Sequence, residues 1–392
     1  MKFTWMRRLD FYAGFLPCHI LALYHRIRGR NQRKALPENI NRVLLVKFLG
    51  FGSILMTTPL MAELKKNYPQ AEIHFLTFSD NFSLCESISL MDRVFCVEKK
   101  SLPRFAVSLV KTLYQLRRQD YDLLFNLEFF SNFSLLVSSL ARPRTAFCFG
   151  GRHEYRKVLC QRIISYENQA HIVEKFCNFL KFLDVRFSPD TKNLVGLEED
   201  ADARSSVLAL LAELEVMPER DFLVVVNINA GEMSSIRKWP LEYYQQVISF
   251  LLQKERVKII LIGGKEDVNY VSSLAGMFPS QENKIINLAG RMSLKELISL
   301  MKASRLYLGN DSGPLHLAEA CGLPNVGFFG PESPRIYGHS GRRNHTFYLN
   351  LPCSPCLNVY TNKDTRCTDN ICLKWIKPQQ VIKVLEEKYF SK

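Results

Sequence analysis

Residues 304–334 read SRLYLGNDSGPLHLAEACGLPNVGFFGPESP, and the fold prediction starts from this stretch. The alternation over 305–308 is typical of the end of a buried strand, and 315–321 has the pattern of a helix that Gly322 ends. Between them lies the turn DSGP at 311–314. A strand, a small-residue turn and a helix N-terminus aim backbone N–H groups and the positive end of the helix dipole at one point, which suits a diphosphate.

Each residue of this turn has a local reason to be there. Asp311 or Ser312 can cap the first amides of the helix, and Gly313 lets a ligand approach the backbone. Pro314 suits a first helical position because it has no amide to leave unpaired. An ordinary capped strand-to-helix connection has the same pattern, so the turn alone does not establish an anion site.

Strand-like and helix-like segments alternate along both halves of the chain. In the first half, strands are predicted at 42–47, 71–77, 93–97 and 121–127, with helices at 54–68 and 105–118. In the second half, strands are predicted at 222–227 and 257–262, with helices at 241–254 and 294–303. The alternation predicts an α/β protein with doubly wound parallel sheets, whose ligands gather at the carboxyl ends of the strands.

A chain of 392 residues predicts two domains, because single cores stop growing at about 250–300 residues. The polar, proline-containing run that follows the first half predicts a linker. We expect the last helix to pack back on the first domain. The predicted parts are an amphipathic segment at 1–40, a first domain at 41–187, a linker at 188–220, a second domain at 221–376 with a four-cysteine insert at 353–372, and a final helix at 377–392.

Composition narrows the class of protein. With 47% hydrophobic and 23% charged residues the chain is globular, and its net charge of +14 suits nucleic acid, an anionic membrane or a phosphorylated substrate. The cations do not accompany a stripe of aromatic residues or a known reading motif, so we expect no nucleic-acid partner. Seven of the 11 cysteines stand singly, mostly in apolar surroundings, which suggests a reducing compartment.

The N-terminal segment contains the apolar run FYAGFLPCHILALY at 11–24, with arginines on both sides. The run is too short to span a bilayer, and Pro17 is expected to interrupt it. No small-residue cleavage site follows, so a secretory signal is not expected. The segment either lies in the headgroup layer of a membrane or packs on the protein's own surface.

In the first half, FLGFGS follows the first predicted strand, but it lacks the full GxGxxG fingerprint and no P-loop lysine follows. A nicotinamide dehydrogenase or an ATPase is therefore not expected. Glu128 directly follows another predicted strand. Its carboxylate either faces a ligand or is a solvated group on a loop. The basic run at 142–157 either grips a phosphorylated acceptor or is a solvated face.

In the second half, Arg237 and Lys238 stand beside Trp239 after a predicted strand. They either clamp the diphosphate or are solvated neighbours of a packing tryptophan. Near the C-terminus the spacing C-x2-C-x10-C-x4-C is compatible with a structural zinc, with free thiols or with a redox pair. Its members are Cys353, Cys356, Cys367 and Cys372.

Three stretches, VLLVKFLGFGSILMTTPL, RKWP and DSGPLHLAEACGLPNVGFFGP, resemble glycosyltransferase family 9 from about Arg42 to the C-terminus. Its best-known members are the bacterial heptosyltransferases of the lipopolysaccharide inner core. The resemblance implies a GT-B fold with two Rossmann-like domains facing a cleft, the acceptor in the first and the donor in the second. It also implies inversion at the sugar, no catalytic metal, and a nucleotide-sugar donor such as ADP-heptose.

The resemblance carries over to named residues of the donor site. Asp311 would contact the donor sugar, and the amides of Ser312 and Gly313 the diphosphate. Arg237 stands where the family usually has a lysine on phosphate. The full implied set is Arg237, Lys238, Asp311, Ser312, Gly313 and His316, with Glu266 or Asp267 near the ribose hydroxyls.

One departure affects catalysis. The family commonly has a GD pair in the first turn, whose aspartate is held to be the general base, whereas this chain has Gly52-Ser53. A serine hydroxyl is far too weak a base without activation, so Glu128 is the candidate replacement. The candidate catalytic residues are then Glu128, Ser53 and Asp311. The candidate acceptor-binding residues are Gly52, Ser53, Arg152, His153 and Arg156.

The sequence thus predicts an inverting hexosyl- or heptosyltransferase, peripheral on the cytoplasmic face of a bacterial inner membrane. Its acceptor would be a lipid-linked or phosphorylated saccharide of lipopolysaccharide or another cell-surface glycan. Because of Ser53, the alternative is a membrane-associated nucleotide-sugar-binding protein without catalysis.

Overall fold

The structure is a computed structural model that describes residues 3–29, 36–151, 153–166, 169–187, 193–231, 235–338, 341–358 and 365–391. The chain divides into two compact units of equal length. Unit 1 is Met1–Gly196 and unit 2 is Leu197–Lys392.

Unit 1 is built on a parallel sheet. In the described part of the chain its strands are β1 (Arg42–Val46), β2 (Glu72–Phe78), β3 (Arg93–Val97), β4 (Leu123–Asn126), β5 (Thr145–Phe149) and β6 (Arg162–Ile164). Their order is β3-β2-β1-β4-β5-β6, and every neighbouring pair is parallel. The strand order reverses between β1 and β4, and the crevice beyond such a switch point is where ligands bind in this class of fold.

Helices cover this sheet as the alternation predicts. They are α1 (Phe3–Ile27), α2 (Phe51–Leu55), α3 (Thr58–Asn67), α4 (Phe82–Glu86), α5 (Leu102–Arg117), α6 (Asn132–Leu140), α7 (Tyr155–Leu159) and α8 (Ile172–Cys177). The single helix predicted at 54–68 is two helices instead. Pro59 has no amide to continue the hydrogen bonding, and the hydroxyls of Thr57 and Thr58 bond back to the carbonyls of the preceding turn.

Helix α1 continues through Pro17, so the predicted interruption is wrong. Proline removes one backbone hydrogen bond, but the helix packs on α6 and α7 and buries Cys18 and Ala22 there. The carboxylate of Asp10 also accepts the first two amides of α6, at 3.1 and 2.6 Å. One face of α1 is therefore part of the core of unit 1, while other side chains of the helix stay exposed.

Unit 2 repeats this architecture. Within the described residues its strands are β7 (Phe222–Asn227), β8 (Val257–Leu261), β9 (Ile285–Asn287), β10 (Leu306–Asn310), β11 (Asn325–Phe328) and β12 (His345–Phe347). The order is β12-β11-β10-β7-β8-β9, again parallel throughout. The switch point lies between β7 and β10.

The helices of unit 2 are α9 (Ala201–Glu213), α10 (Leu241–Leu251), α11 (Val268–Ala275), α12 (Leu294–Ala303), α13 (Gly313–Ala320), α14 (Pro334–Tyr337), α15 (Ile371–Lys374) and α16 (Pro378–Leu385). Helix α9 lies inside the predicted linker 188–220. It forms because Asp200 caps its start, and Val207 and Leu211 are buried where α9 packs on α12.

The final helix packs on unit 2, and the expectation that it returns to the first domain is wrong. Val381 and Leu385 of α16 are buried in the core of unit 2, against α10. The same core contains Trp239, which is fully buried and stacks on Phe328 with ring centroids 4.2 Å apart. Trp239 is therefore the packing anchor that one of the two interpretations predicted.

No helix in the described ranges is both long and apolar enough to cross a bilayer.

Candidate functional site

A buried ion pair joins the loop after β7 to the turn after β10. Nη2 of Arg237 donates to Oδ2 of Asp311 at 2.8 Å and also to the backbone carbonyl of Asp311. Burial disfavours the charged guanidinium, but the negative charges of Asp311 and Glu332 outweigh that effect, and the pKa of Arg237 is raised. Arg237 therefore keeps its charge and fixes the turn in front of α13.

Helix α13 starts at this turn without a side-chain cap. Ser312 occupies the N-cap position, but its hydroxyl accepts a hydrogen bond from Nδ2 of Asn227 and donates to the carbonyl of Asn310, both at 3.1 Å. Pro314 contributes no amide. Without a capping side chain, the amides at the helix N-terminus and the positive end of its dipole are suited to an anionic ligand.

Asn310, the last residue of β10, holds the two loops together. Its Oδ1 accepts the backbone amide of Trp239 at 2.9 Å, and its Nδ2 donates to the carbonyl of Ile228 at 2.9 Å. The side chain is fully buried. A buried amide with both ends bonded keeps the loop that carries Arg237 in register with the turn that carries Asp311.

Two further buried titratable side chains lie near this pair. Glu332, in the loop after β11, is 2% exposed, and its charge acts on Arg237. His316 stands on α13, and its Nε2 lies 3.7 Å from Oδ1 of Asp311, which is longer than a hydrogen bond. His316 therefore lies beside the carboxylate oxygen that Arg237 does not contact.

The remaining predicted donor residues have other partners. Nζ of Lys238 lies 3.9 Å from the ring centroid of Tyr270 on α11, so this cation rests on an aromatic face. Oδ2 of Asp267 accepts the amide of Gly264 at 3.1 Å and caps the turn before α11. Glu266 is exposed beyond the carboxyl end of β8. Their contacts with phosphate and ribose stay predictions.

In unit 1 Glu128 holds the turn after β1. Its Oε1 accepts the amides of Phe48 at 2.7 Å and Leu49 at 2.8 Å, and its Oε2 lies 3.1 Å from Nζ of Lys47. The side chain is buried at the switch point of the sheet. Because a carboxylate oxygen has two lone pairs and Oε1 uses both, a role as base would fall to Oε2.

Gly52 and Ser53 lie at the start of α2, next to this turn. Gly50, at the N-cap, has φ of 89°, a conformation that favours glycine. A Cβ atom on Gly50 would stand 2.8 Å from Oγ of Ser53, so the hydroxyl lies against the turn. Ser53 is half-buried at the same carboxyl edge as Glu128.

The basic run at 142–157 is divided by β5. Arg142 and Arg144 precede the strand at the amino edge of the sheet, and His153 and Arg156 follow it at the carboxyl edge. His153 stacks on Tyr155, with the ring planes 9° apart. Arg152 lies outside the described residues.

Arg156, one of the predicted acceptor contacts, is buried inside unit 1, and its contact with an acceptor stays a prediction. Its side chain is only 2% exposed, and Nε donates to the carbonyl of Phe149 at 3.2 Å. Gly151 allows this placement, because a Cβ there would stand 2.8 Å from Cδ of Arg156. Arg156 therefore supports the loop after β5 from inside unit 1.

The four-cysteine segment offers a donor set that zinc prefers, but its placement does not complete a site. Burial and then the charges of Cys356, Cys353 and Cys367 raise the pKa of Cys372 to about 11, so the four thiols are neighbours. All four are free thiols. Within the described residues, however, no three His, Cys, Asp or Glu side chains converge closely enough to hold a metal ion.

Sequence reasoning missed three residues that shape these sites. Lys47 pairs with Glu128, Glu332 lies beside Arg237, and Asn310 joins the two loops of unit 2. Lys47 ends a predicted strand and Asn310 follows one by two residues, and that position was a usable signal. Nothing local marks Glu332 as buried.

Comparisons with known proteins agree with this architecture. A model of glycosyltransferase family 9, described as heptosyltransferase, matches residues 109–365. Lipopolysaccharide heptosyltransferase 3 of Escherichia coli (strain K12) is 28% identical over 289 residues, which cover 71% of this chain and 79% of that protein.

Solved structures are similar over most of this chain. The family 9 glycosyl transferase from Veillonella parvula DSM 2008 has a TM-score of 0.74 at 20% identity, covering 91% of this chain and 99% of its own. E. coli heptosyltransferase WaaC covers 88% of this chain and 99% of its own, with a TM-score of 0.67 at 19% identity for the complex with ADP. The structure of WaaC with ADP-2-deoxy-2-fluoro heptose has a TM-score of 0.65 at 18% identity. The predicted GT-B fold class, with two parallel-sheet α/β units, is thereby confirmed.

Proposed function

Because the chain belongs to glycosyltransferase family 9, the heptosyltransferase family, we propose that it transfers a heptose or related sugar from a nucleoside-diphosphate sugar to a lipid-linked or phosphorylated saccharide. The product would belong to bacterial lipopolysaccharide or a related cell-surface glycan. The similarity to lipopolysaccharide heptosyltransferase 3 and to WaaC, solved with ADP and with an ADP-heptose analogue, supports this choice. The observation that carries it is the buried Arg237–Asp311 pair at the uncapped start of α13.

The donor binds unit 2 in this proposal. Its diphosphate takes the amides of Ser312 and Gly313 and the charge of Arg237, whose Nε has no hydrogen-bond partner among the described side and main chains. The carboxylate of Asp311 contacts the sugar. Glu266 and Asp267 follow β8, and Lys238 lies against Tyr270 on α11; in this proposal the three residues serve the nucleoside part of the donor.

The reaction inverts configuration at the anomeric carbon. The acceptor hydroxyl attacks that carbon opposite the diphosphate, the carbon–oxygen bond to the diphosphate breaks, and the hydroxyl proton goes to a base. Negative charge builds on the leaving nucleoside diphosphate. This charge is stabilised by the amides at the start of α13, by the helix dipole and by Arg237, all of which are in place before the reaction. The proposal therefore requires no catalytic metal.

Unit 1 supplies the base and binds the acceptor. Glu128 is the proposed base and takes the proton on Oε2. The ammonium group of Lys47, 3.1 Å from Oε2, is the positive charge beside the carboxylate before the proton arrives. Gly52, Ser53 and His153 line the same carboxyl edge and are the proposed acceptor contacts. Ser53 serves as a hydrogen-bonding group and not as the base.

We also propose that the protein works on the cytoplasmic face of the inner membrane, with α1 as its anchor. Leu16, Ile20, Leu23 and Ile27 repeat at helical spacing and are 59–77% exposed. Arg26 and Arg28, also exposed, end the helix with positive charge. An apolar stripe with cations beside it suits an anionic lipid surface, where a lipid-linked acceptor is found.

A donor screen tests the proposal. Thermal unfolding is followed with ADP-, UDP- and GDP-sugars, and release of the nucleoside diphosphate is then measured with acceptor present. A donor at about 100 times its Kd should stabilise unit 2 by about 2.7 kcal/mol. Arg237→Lys keeps the charge and should keep part of the stabilisation, whereas Arg237→Gln should lose it.

Arg305→Gln is the matched control, because Arg305 is exposed at the opposite, amino edge of the same sheet. It should behave as the wild type. Stabilisation by a donor without release of nucleoside diphosphate would favour a binding protein without catalysis. Absence of stabilisation by every nucleotide sugar would remove the proposal.

A further inference from the structure

Exposed apolar side chains concentrate on two helices of unit 1. Among the described residues, 15 large hydrophobic side chains are exposed, and 10 of these lie on α1 or α5. Scattered exposed hydrophobics are normal on a soluble surface, but a concentration on particular helices marks an interaction surface. Six of the ten belong to the proposed α1 anchor. The other four, on α5, have no role in the function proposed above.

The exposed band of α5 is not needed for packing. Its members are Val107, Val110 and Tyr114, which are 70%, 67% and 60% exposed. Leu102, 76% exposed, is the first residue of the helix. The opposite face of the helix provides the contacts with the core of unit 1, through Phe105, Leu109, Leu113 and Leu116. Helix α5 is therefore apolar on two faces, and only one of them is used in folding.

The charge beside this band has one sign. Helix α5 contains no acidic residue, whereas Arg104, Lys111 and Arg117 lie on it and Arg118 follows. All four are exposed. Exposed cations on the same helix as an exposed apolar band complement an anionic surface with an apolar interior. They do not complement a second copy of the same basic face, because like charges would then meet.

The bands on α1 and α5 end in the same way. On α5 the guanidinium of Arg118 lies 5.1 Å from the ring centroid of Tyr114, and on α1 that of Arg28 lies 5.5 Å from Tyr24. In both cases the arginine follows the tyrosine by four residues. Tyrosine with a neighbouring cation is the combination enriched at the headgroup level of membranes.

The two bands also end at the same edge of unit 1. Nε of Arg117 donates to the carbonyl of Leu140, at the end of α6, and the exposed Arg142 follows two residues later. His25, near the end of α1, lines a cavity together with Arg142 and Arg144. Helices α1, α5 and α6 therefore all end at one arginine-rich edge, and the buried faces of α1 and α5 pack into the same core cluster.

We infer that α5 is a second membrane-docking element, and that unit 1 contacts an anionic lipid bilayer through the exposed bands of α1 and α5 together. The inference rests on the proposed membrane attachment and extends it to a helix that the sequence did not single out. The apolar bands enter the acyl boundary, while the tyrosines and arginines at their ends lie among the headgroups. Two separate helices define an orientation of unit 1 on the membrane, which a single helix would leave free to rotate.

The test measures vesicle binding by the full chain. The triple variant Val107→Gln, Val110→Gln, Tyr114→Gln removes the α5 band, and Met217→Gln with Val268→Gln is the control, because these exposed apolar residues lie in unit 2. Cosedimentation uses phosphatidylcholine vesicles with about a third phosphatidylglycerol. The triple variant should bind at least about tenfold more weakly, and the control should bind as the wild type.

A second variant tests the charge. Arg104→Gln with Lys111→Gln should weaken binding to the anionic vesicles and reduce its dependence on salt. Both sets of substitutions are at exposed positions, so unchanged thermal unfolding is the check on folding.

Wild-type binding by the triple variant would overturn the inference. So would conversion of a dimer to a monomer without any change in vesicle binding, because the band would then be an interface between copies. A variant of the α1 stripe, Leu16→Gln with Ile20→Gln and Leu23→Gln, separates the two proposals. If it binds normally while the α5 variant does not, the α1 anchor and the joint contact through both helices fail, and only docking through α5 remains.

Discussion

Glu128 and Asp311 occupy equivalent positions in the two units. Each is buried just beyond the strand that adjoins the first strand at the switch point, β4 in unit 1 and β10 in unit 2. Each also pairs with a cation from the loop after that first strand, Lys47 or Arg237. A buried pair is costly unless its hydrogen bonds are satisfied, so two such pairs at equivalent points suggest a requirement of the sites and not of stability.

The proposed base gives a sharp test at this scale. Glu128→Gln keeps an oxygen that can accept the amides of Phe48 and Leu49, but it cannot take a proton. If Glu128 is the base, kcat should fall by about 10²–10⁴, while the donor still raises the melting temperature. Turnover and donor binding are measured on the same preparation.

Glu154→Gln is the control for this substitution, because it makes the same chemical change at the surface. Glu154 is an exposed carboxylate of the same unit, paired with Lys157. Its replacement should leave turnover unchanged. Near-normal kcat in Glu128→Gln, together with a lowered melting temperature, would show that Glu128 only anchors the turn.

At the scale of elements, the four-cysteine segment braces the loops of the donor site. Nδ2 of Asn370, two residues before Cys372, donates to the carbonyls of Ile236 and Lys238 at 2.9 and 2.8 Å. These two carbonyls flank Arg237. The segment thus supports the loop after β7 by direct hydrogen bonds.

The same segment contacts the loop after β11, which carries Glu332. The amide of Leu357 donates to the carbonyl of Pro331 at 2.8 Å. A Cβ on Gly330 would stand 2.7 Å from Sγ of Cys372, so glycine is required for this close contact. If the four-cysteine segment became less ordered, both loops around Arg237 are therefore expected to become less ordered as well.

The structural-zinc prediction is tested through this connection. The spacing of the four cysteines predicts about one zinc per chain in protein purified without chelator, and loss of the zinc in Cys356→Ser. Binding would require the thiols to come closer together than they stand in this structure. Because the segment braces the donor loops, that variant should also bind donor more weakly. Metal content by mass spectrometry and donor-induced stabilisation are the two measurements.

Cys321→Ser is the control, since Cys321 lies on the same unit after α13 and outside the segment. It should keep both properties of the wild type. Wild-type protein without metal, in which all four thiols react freely, would contradict the zinc prediction. Unchanged donor binding in a metal-free variant would contradict the bracing role.

At the scale of the whole molecule, each unit contains a histidine that is disfavoured as a cation. Burial lowers the pKa of His74 in unit 1 below its usual 6.5, and the charge of Glu72 only partly opposes this. Burial and the charge of Lys388 lower the pKa of His345 in unit 2. Both units should therefore respond to acid in the same direction.

The direction of the pH dependence of stability follows from the number of protons bound in the folded and unfolded states. Below pH of about 6.5 the unfolded chain takes up protons at these histidines while the folded chain does not, so the free energy of unfolding falls as pH falls. Above pH of about 7 both states are neutral at these sites, and their contribution to the pH dependence ends. His74→Gln should remove the part that belongs to unit 1.

Melting temperatures between pH of about 7.5 and 5.5 provide the measurement. Substitution of the exposed His19 by glutamine is the control and should follow the wild type. An equal fall of the melting temperature in wild type and His74→Gln would show that other groups cause the acid sensitivity.

Local patterns in the sequence were enough to predict most of the helices and strands and the alternation between them. The bounds of β3, β7 and α12 agree with the prediction, and the turn from β10 into α13 lies where the DSGP stretch places it. These features depend on hydrogen bonds and side-chain periodicity within a few residues, which a single sequence displays directly. The parallel α/β class follows from the same alternation, and so does the position of the sites beyond the strand ends.

The tertiary structure alone decided which of these residues meet. Phe48 and Glu128 are 80 residues apart, and Arg237 and Asp311 are 74 apart, so their contacts depend on the order of strands in each sheet. Strand order also decided that Arg156 is buried. Burial and pairing are properties of the packed chain, because they depend on which distant segments exclude water from a side chain, and no local pattern of residues records that.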